Sequence, residues 1–148
     1  MQKNNDDVKL TLRDYTPNDR HFILATWLRG LFYGDTWFSQ IPKAIFMENY
    51  HRALERVFST PGVKIKVACL ADDKDVILGY SVYRTLNHNG IDINVLDWVF
   101  VKSAWRKIGL AKKLIPPSIE ACTHLTKSGT SIIKCKLPNV IFNPFLFK

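Results

Sequence analysis

Alternation and helical spacing divide the chain into readable segments. From Val8 to Tyr15, the apolar Val8, Leu10 and Leu12 alternate with Lys9, Thr11 and Arg13, which is the period of two of a half-buried strand. Thr16-Pro17-Asn18-Asp19 then reads as a helix start. Thr16 can cap, Pro17 suits the first helical position, and Asp19 favours the positive end of the helix. Ile23, Leu24, Trp27, Leu28 and Leu31 follow at helical spacing. A second helix is expected from about Pro42 to Phe58, with Phe46, Tyr50, Leu54, Val57 and Phe58 as its apolar stripe and Pro61-Gly62 as its stop.

Three strands are expected next: Val63 to Leu70, Val76 to Arg84 and Ile91 to Val101, with turns at Ala71 to Asp75 and Asn87 to Gly90. A third helix is read from Gly109 to Leu125, with Leu110, Leu114, Ile115, Cys122 and Leu125 on its apolar face. Pro116 and Pro117 fall inside that span, so the helix must kink or break there. Ser131 to Leu137 reads as the last strand. The pattern is α+β or mixed rather than a regular βαβ repeat.

Composition narrows the picture. With 47% hydrophobic residues in 148, the chain is expected to form one packed domain, 1–148, with no need of disulfides or a structural metal. Cys69, Cys122 and Cys135 form no Cys-x-x-Cys pair and read as free thiols of a reducing compartment. No apolar run approaches the ~20 residues needed to span a bilayer, so a cytoplasmic protein without membrane association is expected. His21, His51, His88 and His124 are scattered and read as surface or capping residues.

Charge changes the picture more. The net charge is +8, yet residues 1–100 hold 12 basic and 12 acidic side chains, whereas residues 101–148 hold 9 basic ones and only Glu120. Charge so localised points to one anionic partner at one place. The segment Val99 to Ala111 is an apolar strand running into a basic loop that opens a helix. Small residues at Gly109 and Ala111 let backbone N–H groups approach a ligand. A helix start supplies further donors, and Arg106, Lys107, Lys112 and Lys113 supply charge. Such a loop can cradle a pyrophosphate; the competing reading is a basic turn facing solvent.

Arg106-Lys107-Ile108-Gly109-Leu110-Ala111, preceded by Val101 at a strand end, resembles the Arg/Gln-x-x-Gly-x-Gly/Ala acetyl-CoA motif of the GCN5-related N-acetyltransferase family. The element order β-α-α-β-β-β-α-β from Val8 to Leu137 is similar to that family's as well. The resemblance implies a mixed, mainly antiparallel central sheet flanked by helices. It implies acetyl-CoA as co-substrate, no metal, and direct attack by an amine acceptor, a small molecule or a peptide. Backbone groups of Val99, Phe100 and Val101 would pair with the pantetheine arm, and those from Lys107 through Ile108, Gly109, Leu110 and Ala111 to Lys112 would hold the pyrophosphate.

The same resemblance implies a general base on the fourth strand, where Asp97 stands. Its apolar neighbours suit a raised pKa; the competing reading pairs Asp97 with Arg84. The resemblance also implies a tyrosine acid after a fourth helix, but no tyrosine follows Tyr83. Tyr83 or Tyr80 could substitute, the competing reading of both being ordinary strand residues, or the leaving thiolate needs no dedicated acid, since a thiol's pKa is only ~8.5. The segment between the first two helices would line the acceptor cleft, with Tyr33, Asp35 and Trp37 as candidates. Only Pro138 to Lys148 remains where the family has a further helix and two strands. This apolar tail is expected either to pack over the core or to join a homodimer. Two other functions compete: a basic nucleic-acid-binding module, and an acyl-CoA-binding protein without catalysis. The aromatics of Phe32 to Phe38 lie apart from the basic third, which speaks against nucleic acid.

Overall fold

The structure is a computed structural model and describes residues 9–106, 108–126 and 139–147. The first strand, β1 (Leu10–Asp14), leads into a 3-10 turn at Pro17–Asp19 and helix α1 (Arg20–Gly34). The helix entry forms as the sequence suggests. Asp19 accepts from the Thr16 backbone N–H at 2.8 Å and from both Arg13 terminal nitrogens at 2.7 and 2.8 Å. The Arg13 guanidinium, more than any other group, lowers the Asp19 carboxyl below its ordinary range. A second 3-10 turn, Phe38–Gln40, precedes helix α2 (Lys43–Ser59).

Strands β2 (Lys64–Leu70), β3 (Ile77–His88) and β4 (Ile91–Val101) follow. Together with β1 they form an antiparallel sheet in the order β1-β2-β3-β4. The β3–β4 hairpin turns on two residues, Asn89 (φ 53°) and Gly90 (φ 81°). Both are left-handed, as a tight hairpin matched to strand twist requires.

One face of the sheet carries α1 and α2. Ile23, Trp27 and Leu31 from α1, Phe46 and Leu54 from α2, and Tyr80, Val82 and Trp98 from the sheet form one buried cluster. Burying aromatic surface of this extent supplies much of the driving force for this layer. Tyr80 sits beneath α1, where its hydroxyl lies 2.7 Å from Thr26 Oγ1 and donates to the Ile23 carbonyl at 3.1 Å.

The opposite face carries helix α3, which is far shorter than the expected span of Gly109 to Leu125. It covers only Leu110–Leu114. Ile115 turns extended (φ −86°, ψ 118°) because it precedes Pro116, whose ring disfavours the helical conformation at the residue before it. The freed chain then becomes strand β5 (Ala121–Cys122), where helix was expected. This strand lies parallel to β4 in the register Val95↔Ala121 and Leu96↔Cys122. Cys122 is therefore buried on a strand, not on a helix face, and burial pushes its thiol up to about 11.

The strand expected at Ser131 to Leu137, with Cys135, lies outside the described residues. The tail supplies β6 (Ile141–Phe142), parallel to β5, and a 3-10 turn at Pro144–Leu146 capped by Asn143, whose Oδ1 accepts from the Phe145 N–H at 3.1 Å. Leu146 is buried against Val95 and Ala121, so this part of the tail packs over the core, while Ile141 and Phe145 are 68% and 84% exposed. Among the described residues the result is a mixed six-stranded sheet flanked by helices. No helix among them is long and apolar enough to cross a membrane.

Candidate active site

The site is set by an irregularity in β4. Val82 pairs with Trp98 and Tyr83 with Leu96, so Asp97 is an extra residue with no partner on β3, a β-bulge. The bulge directs Asp97 toward the face that carries α1 and α2. There its carboxylate, 1% exposed, meets Arg84, with Nε 2.9 Å from Oδ2. The approach is off the N–H axis, so this contact is an ion pair more than a hydrogen bond. Arg84 Nη2 also reaches Asp97 Oδ1 at 3.4 Å and donates to the Leu146 carbonyl at 3.1 Å. Burial raises the Asp97 carboxyl above its ordinary range, against the pull of Arg84 and of a hydrogen bond from Thr123.

Beyond Asp97 the bonds continue. Thr123 Oγ1 donates to Asp97 Oδ1 at 2.8 Å and lies 2.9 Å from His124 Nδ1, and His124 Nε2 is hydrogen-bonded to the Tyr50 hydroxyl. Rings enclose the imidazole: Trp27, Tyr50, Trp98 and Phe147 lie 5.8, 5.9, 6.1 and 4.6 Å away by centroid, all edge to face. This burial lowers the His124 pKa to about 4, so the ring is neutral at physiological pH. His124 is thus no surface residue; His21, His51 and His88 are exposed as expected.

Thr123, His124 and Tyr50 were not legible as site residues, because Thr123 and His124 fell inside an expected helix and Tyr50 inside an apolar stripe. The only sequence signal was the polar Thr-His pair just after the helix-breaking prolines.

The other candidates separate. Tyr83 points away from Asp97 and packs with Leu96, Ile115, Ile119 and Cys122 on the α3 side. It also borders a cavity of about 570 Å³ lined by Asp14, Tyr15, Phe58, Lys64, Ile65 and Lys66, which shares no residue with the Asp97 cluster. Asp35 Oδ1 accepts from the N–H groups of Trp37 and Phe38 at 2.8 and 3.2 Å, which shapes the loop between α1 and α2. Tyr33 and Trp37 are 64% and 67% exposed, and Lys43 Nζ both bonds the Tyr33 hydroxyl at 2.9 Å and lies over its ring. Phe32 is buried, and Phe38 packs on Phe46 and Tyr50, so this loop abuts the outer end of the cluster.

The basic loop leaves the far end of β4. Val99 is half-buried on the α3 side, Phe100 packs with Phe22 and Tyr80, and Val101 is buried. Arg106 Nε donates to the Val101 carbonyl at 3.0 Å. Lys107 lies outside the described residues. Ile108, Lys112 and Lys113 are exposed, Leu110 is buried, and Ala111 is half-buried. Gly109 is left-handed (φ 80°), and a Cβ built there would meet nothing within 4 Å, so a ligand group has room to reach its backbone.

Between these two regions the described pairing of β4 with β5 ends. The Thr123 N–H donates to the Leu96 carbonyl at 3.1 Å. Beyond that bond, the β4 residues up to Val101 keep only β3 as a neighbour among the described residues. No group of three metal-ligating side chains occurs among the described residues.

No protein-family model matches the chain, and no curated protein sequence does either. Solved structures do match. A protein of Pyrococcus furiosus described as an acetyl transferase superposes with a TM-score of 0.61 at 14% identity, over 93% of this chain and 87% of that one. A protein of Clostridium difficile 630, described as an acetyltransferase, gives 0.52 at 12% identity over 90% and 78%. The GCN5-related glucosamine N-acetyltransferase region of a fungal multi-domain GH3 β-N-acetylglucosaminidase gives 0.52 at 14% identity, over 92% of this chain and 14% of that much longer one. At such identities the likeness speaks for architecture alone, and the architecture of this chain is the GCN5-related N-acetyltransferase fold.

Proposed function

We propose that this protein is an acetyltransferase that moves the acetyl group of acetyl-CoA to an amine acceptor. The observation that carries this reading is the edge of β4 beyond Leu96, which among the described residues has only β3 as a neighbour. It is flanked by a buried carboxylate on one side and by the left-handed Gly109 loop on the other. The edge of β4 at Val99, Phe100 and Val101, unpaired on this side among the described residues, offers backbone groups to an extended amide-bearing arm, as in strand addition. The backbone from Ile108 to Lys112, together with the exposed Lys112 and Lys113, offers donors and charge to a pyrophosphate. Since α3 has only five residues, its dipole adds little, and the loop backbone and the lysines carry the anion.

The acceptor would enter beside the loop that bears Tyr33 and Trp37, whose rings and flanking Asp35 suit a cationic or flat group. Asp97 is the buried carboxylate of this site, the group to which the amine's proton would pass, and a neutral amine is what direct attack requires.

Calorimetric titration with acetyl-CoA tests the reading. Lys112→Glu/Lys113→Glu, a double change at two exposed positions, and Gly109→Glu should each weaken binding by about tenfold or more, the loss expected of one or two charge-assisted contacts. Unchanged affinity in all of them removes acetyl-CoA from this loop. Binding without thiol release over a panel of amines and peptides favours a binding protein over an enzyme.

A further inference from the structure

Asp97 is poorly placed to touch a substrate. Its side chain is closed off by Arg84, Thr123 and the rings around His124. Yet it ends an unbroken series of hydrogen bonds that begins at Tyr50 on α2, beside the loop between the helices.

Counting donors gives that series a direction. A carboxylate can only accept, so the single Thr123 hydroxyl proton points at Asp97 Oδ1, 2.8 Å away. Thr123 Oγ1 must then accept from His124, which places the ring proton on Nδ1, 2.9 Å away. Nε2 of the neutral ring is therefore a bare lone pair, and the Tyr50 hydroxyl donates to it. Every proton in the series points from Tyr50 toward Asp97. Among the described residues, the ionisable side chains bearing on the imidazole are Arg84 from β3, Asp35 from the inter-helix loop and Tyr50 from α2, while Asp97 of β4 bears on it through its backbone and, by way of Thr123, through its carboxylate. The uncharged rings of Trp27, Trp98 and Phe147 pack around it.

We propose that Tyr50, His124 and Thr123 form a one-way proton relay that connects the acceptor side of the site to the buried Asp97 carboxylate. The proposal rests on the acetyltransferase reading for its purpose. Tyr50 Oη receives a proton from the acceptor's ammonium group as it passes its own to His124 Nε2. His124 Nδ1 gives its proton to Thr123 Oγ1, and Thr123 gives its own to Asp97 Oδ1. Four O–H or N–H bonds form and four break. The ammonium becomes a neutral amine, Asp97 becomes a neutral acid, and His124 ends as the Nε2–H tautomer. Tyr50 never becomes a phenolate, in keeping with the burial that raises its pKa. Arg84 keeps its bond to the Leu146 carbonyl and holds the carboxyl in place through the transfer. His124 and Thr123 are positioning residues; only the Tyr50 hydroxyl meets the acceptor.

Two measurements on the full chain test this. Nitrogen-15 NMR of the His124 ring should find a neutral ring protonated on Nδ1 at pH 7. An Nε2–H ring or an imidazolium overturns the relay, whatever the enzyme's activity. In thiol-release assays with an amine that turns over, Thr123→Val and Tyr50→Phe should each lower kcat about 100-fold, the scale of general-base catalysis. Calorimetric acetyl-CoA affinity should stay unchanged in both, and Thr123→Ser should restore kcat. Wild-type kcat in Thr123→Val overturns the relay, as does a matching loss in Thr123→Ser. If wild-type protein neither binds acetyl-CoA nor releases thiol, the acetyltransferase reading fails, and the ring spectra still decide the relay.

Discussion

Arg84 and Asp97 face each other across β3 and β4 with 2.9 Å between Nε and Oδ2, and both side chains are removed from solvent. The pair exists because the bulge in β4 adds a residue just where β3 presents an arginine. From the sequence alone, this pairing and a proton-accepting Asp97 are competing accounts. The geometry leaves room for both, because Arg84 Nε faces Oδ2 while Oδ1, which Arg84 Nη2 reaches only at 3.4 Å, accepts from Thr123 at 2.8 Å.

Removing one partner leaves the other charge buried and uncompensated. Arg84→Met should therefore destabilise the fold by roughly 3–5 kcal/mol, measured by urea denaturation. Arg84→Met combined with Asp97→Leu should recover much of that loss, since an apolar pair of similar volume often matches a buried ion pair. A double variant no more stable than Arg84→Met would show that the pair is not what the site depends on.

The neutral His124 sets a pH dependence. Its folded pKa, about 4, lies below the ordinary 6.5, so between these values the unfolded chain binds more protons than the folded one. Stability from this group is complete above about pH 6.5 and falls as pH is lowered toward 4. At 1.36 kcal/mol per unit, the loss is up to about 3 kcal/mol. Asp97, whose carboxyl is raised chiefly by burial, contributes the opposite slope at acid pH, and the lowered Asp19 adds to the loss. Comparing His124→Asn with wild type isolates the histidine. The variant should lose the slope between pH 6.5 and 4 while keeping the carboxylate contributions. Parallel curves would exclude a neutral buried imidazole.

Legibility followed locality. α1, α2 and the three long strands were readable because one apolar face recurs over at least two turns or several pleats. Ile23, Leu24, Trp27, Leu28 and Leu31 are all buried, as their spacing suggested. The basic loop was readable because Gly109 is needed for its backbone conformation. The end of α3 departs from its pattern: Leu110 to Leu125 has helical spacing, but Ile115 is held extended by Pro116, and two strand pairs to β4 outweigh propensity. The relay was invisible for a different reason. Tyr50, Asp97 and Thr123-His124 come from three separate segments. Only the bulge and the parallel pairing of β5 bring them together, and neither has a sequence signature of its own.

Gly79 makes a further prediction, because it lets β4 and α3 close on β3. A Cβ there would stand 2.5 Å from the Phe100 carbonyl oxygen and 3.2 Å from Leu114 Cδ1. The first contact is with backbone and cannot give way easily. Gly79→Ala should cost about 1–3 kcal/mol, the range for overpacking a core. Two residues on, Ser81 Oγ donates to the Leu114 carbonyl at 2.7 Å, tying α3 to the same strand. The damage should thus reach the basic loop, read as faster amide hydrogen exchange at Gly109 to Lys113 than at α2. Uniform exchange across both regions would separate the loop from β3.

Phe147 is the side of the His124 enclosure supplied by the tail. Its ring stacks on Tyr50 at 6.1 Å with a 1° angle between planes, meets His124 edge to face at 4.6 Å, and lies 5.9 Å beneath the Arg84 guanidinium. Phe147→Ala removes this cover without touching a hydrogen bond of the relay. It should destabilise the fold by about 1–3 kcal/mol, less than a fully buried phenylalanine because the ring is half-buried. Water admitted to the imidazole weakens the burial that depresses its pKa. The ring should then titrate above its value of about 4, toward the ordinary 6.5, as followed by NMR of the ring nitrogens. Phe147→Leu, which keeps an apolar side chain in place, should move it less. An unmoved pKa in Phe147→Ala would mean that α1, α2 and β4 alone hold the imidazole dry, and that the tail serves only to anchor Arg84 through the Leu146 carbonyl.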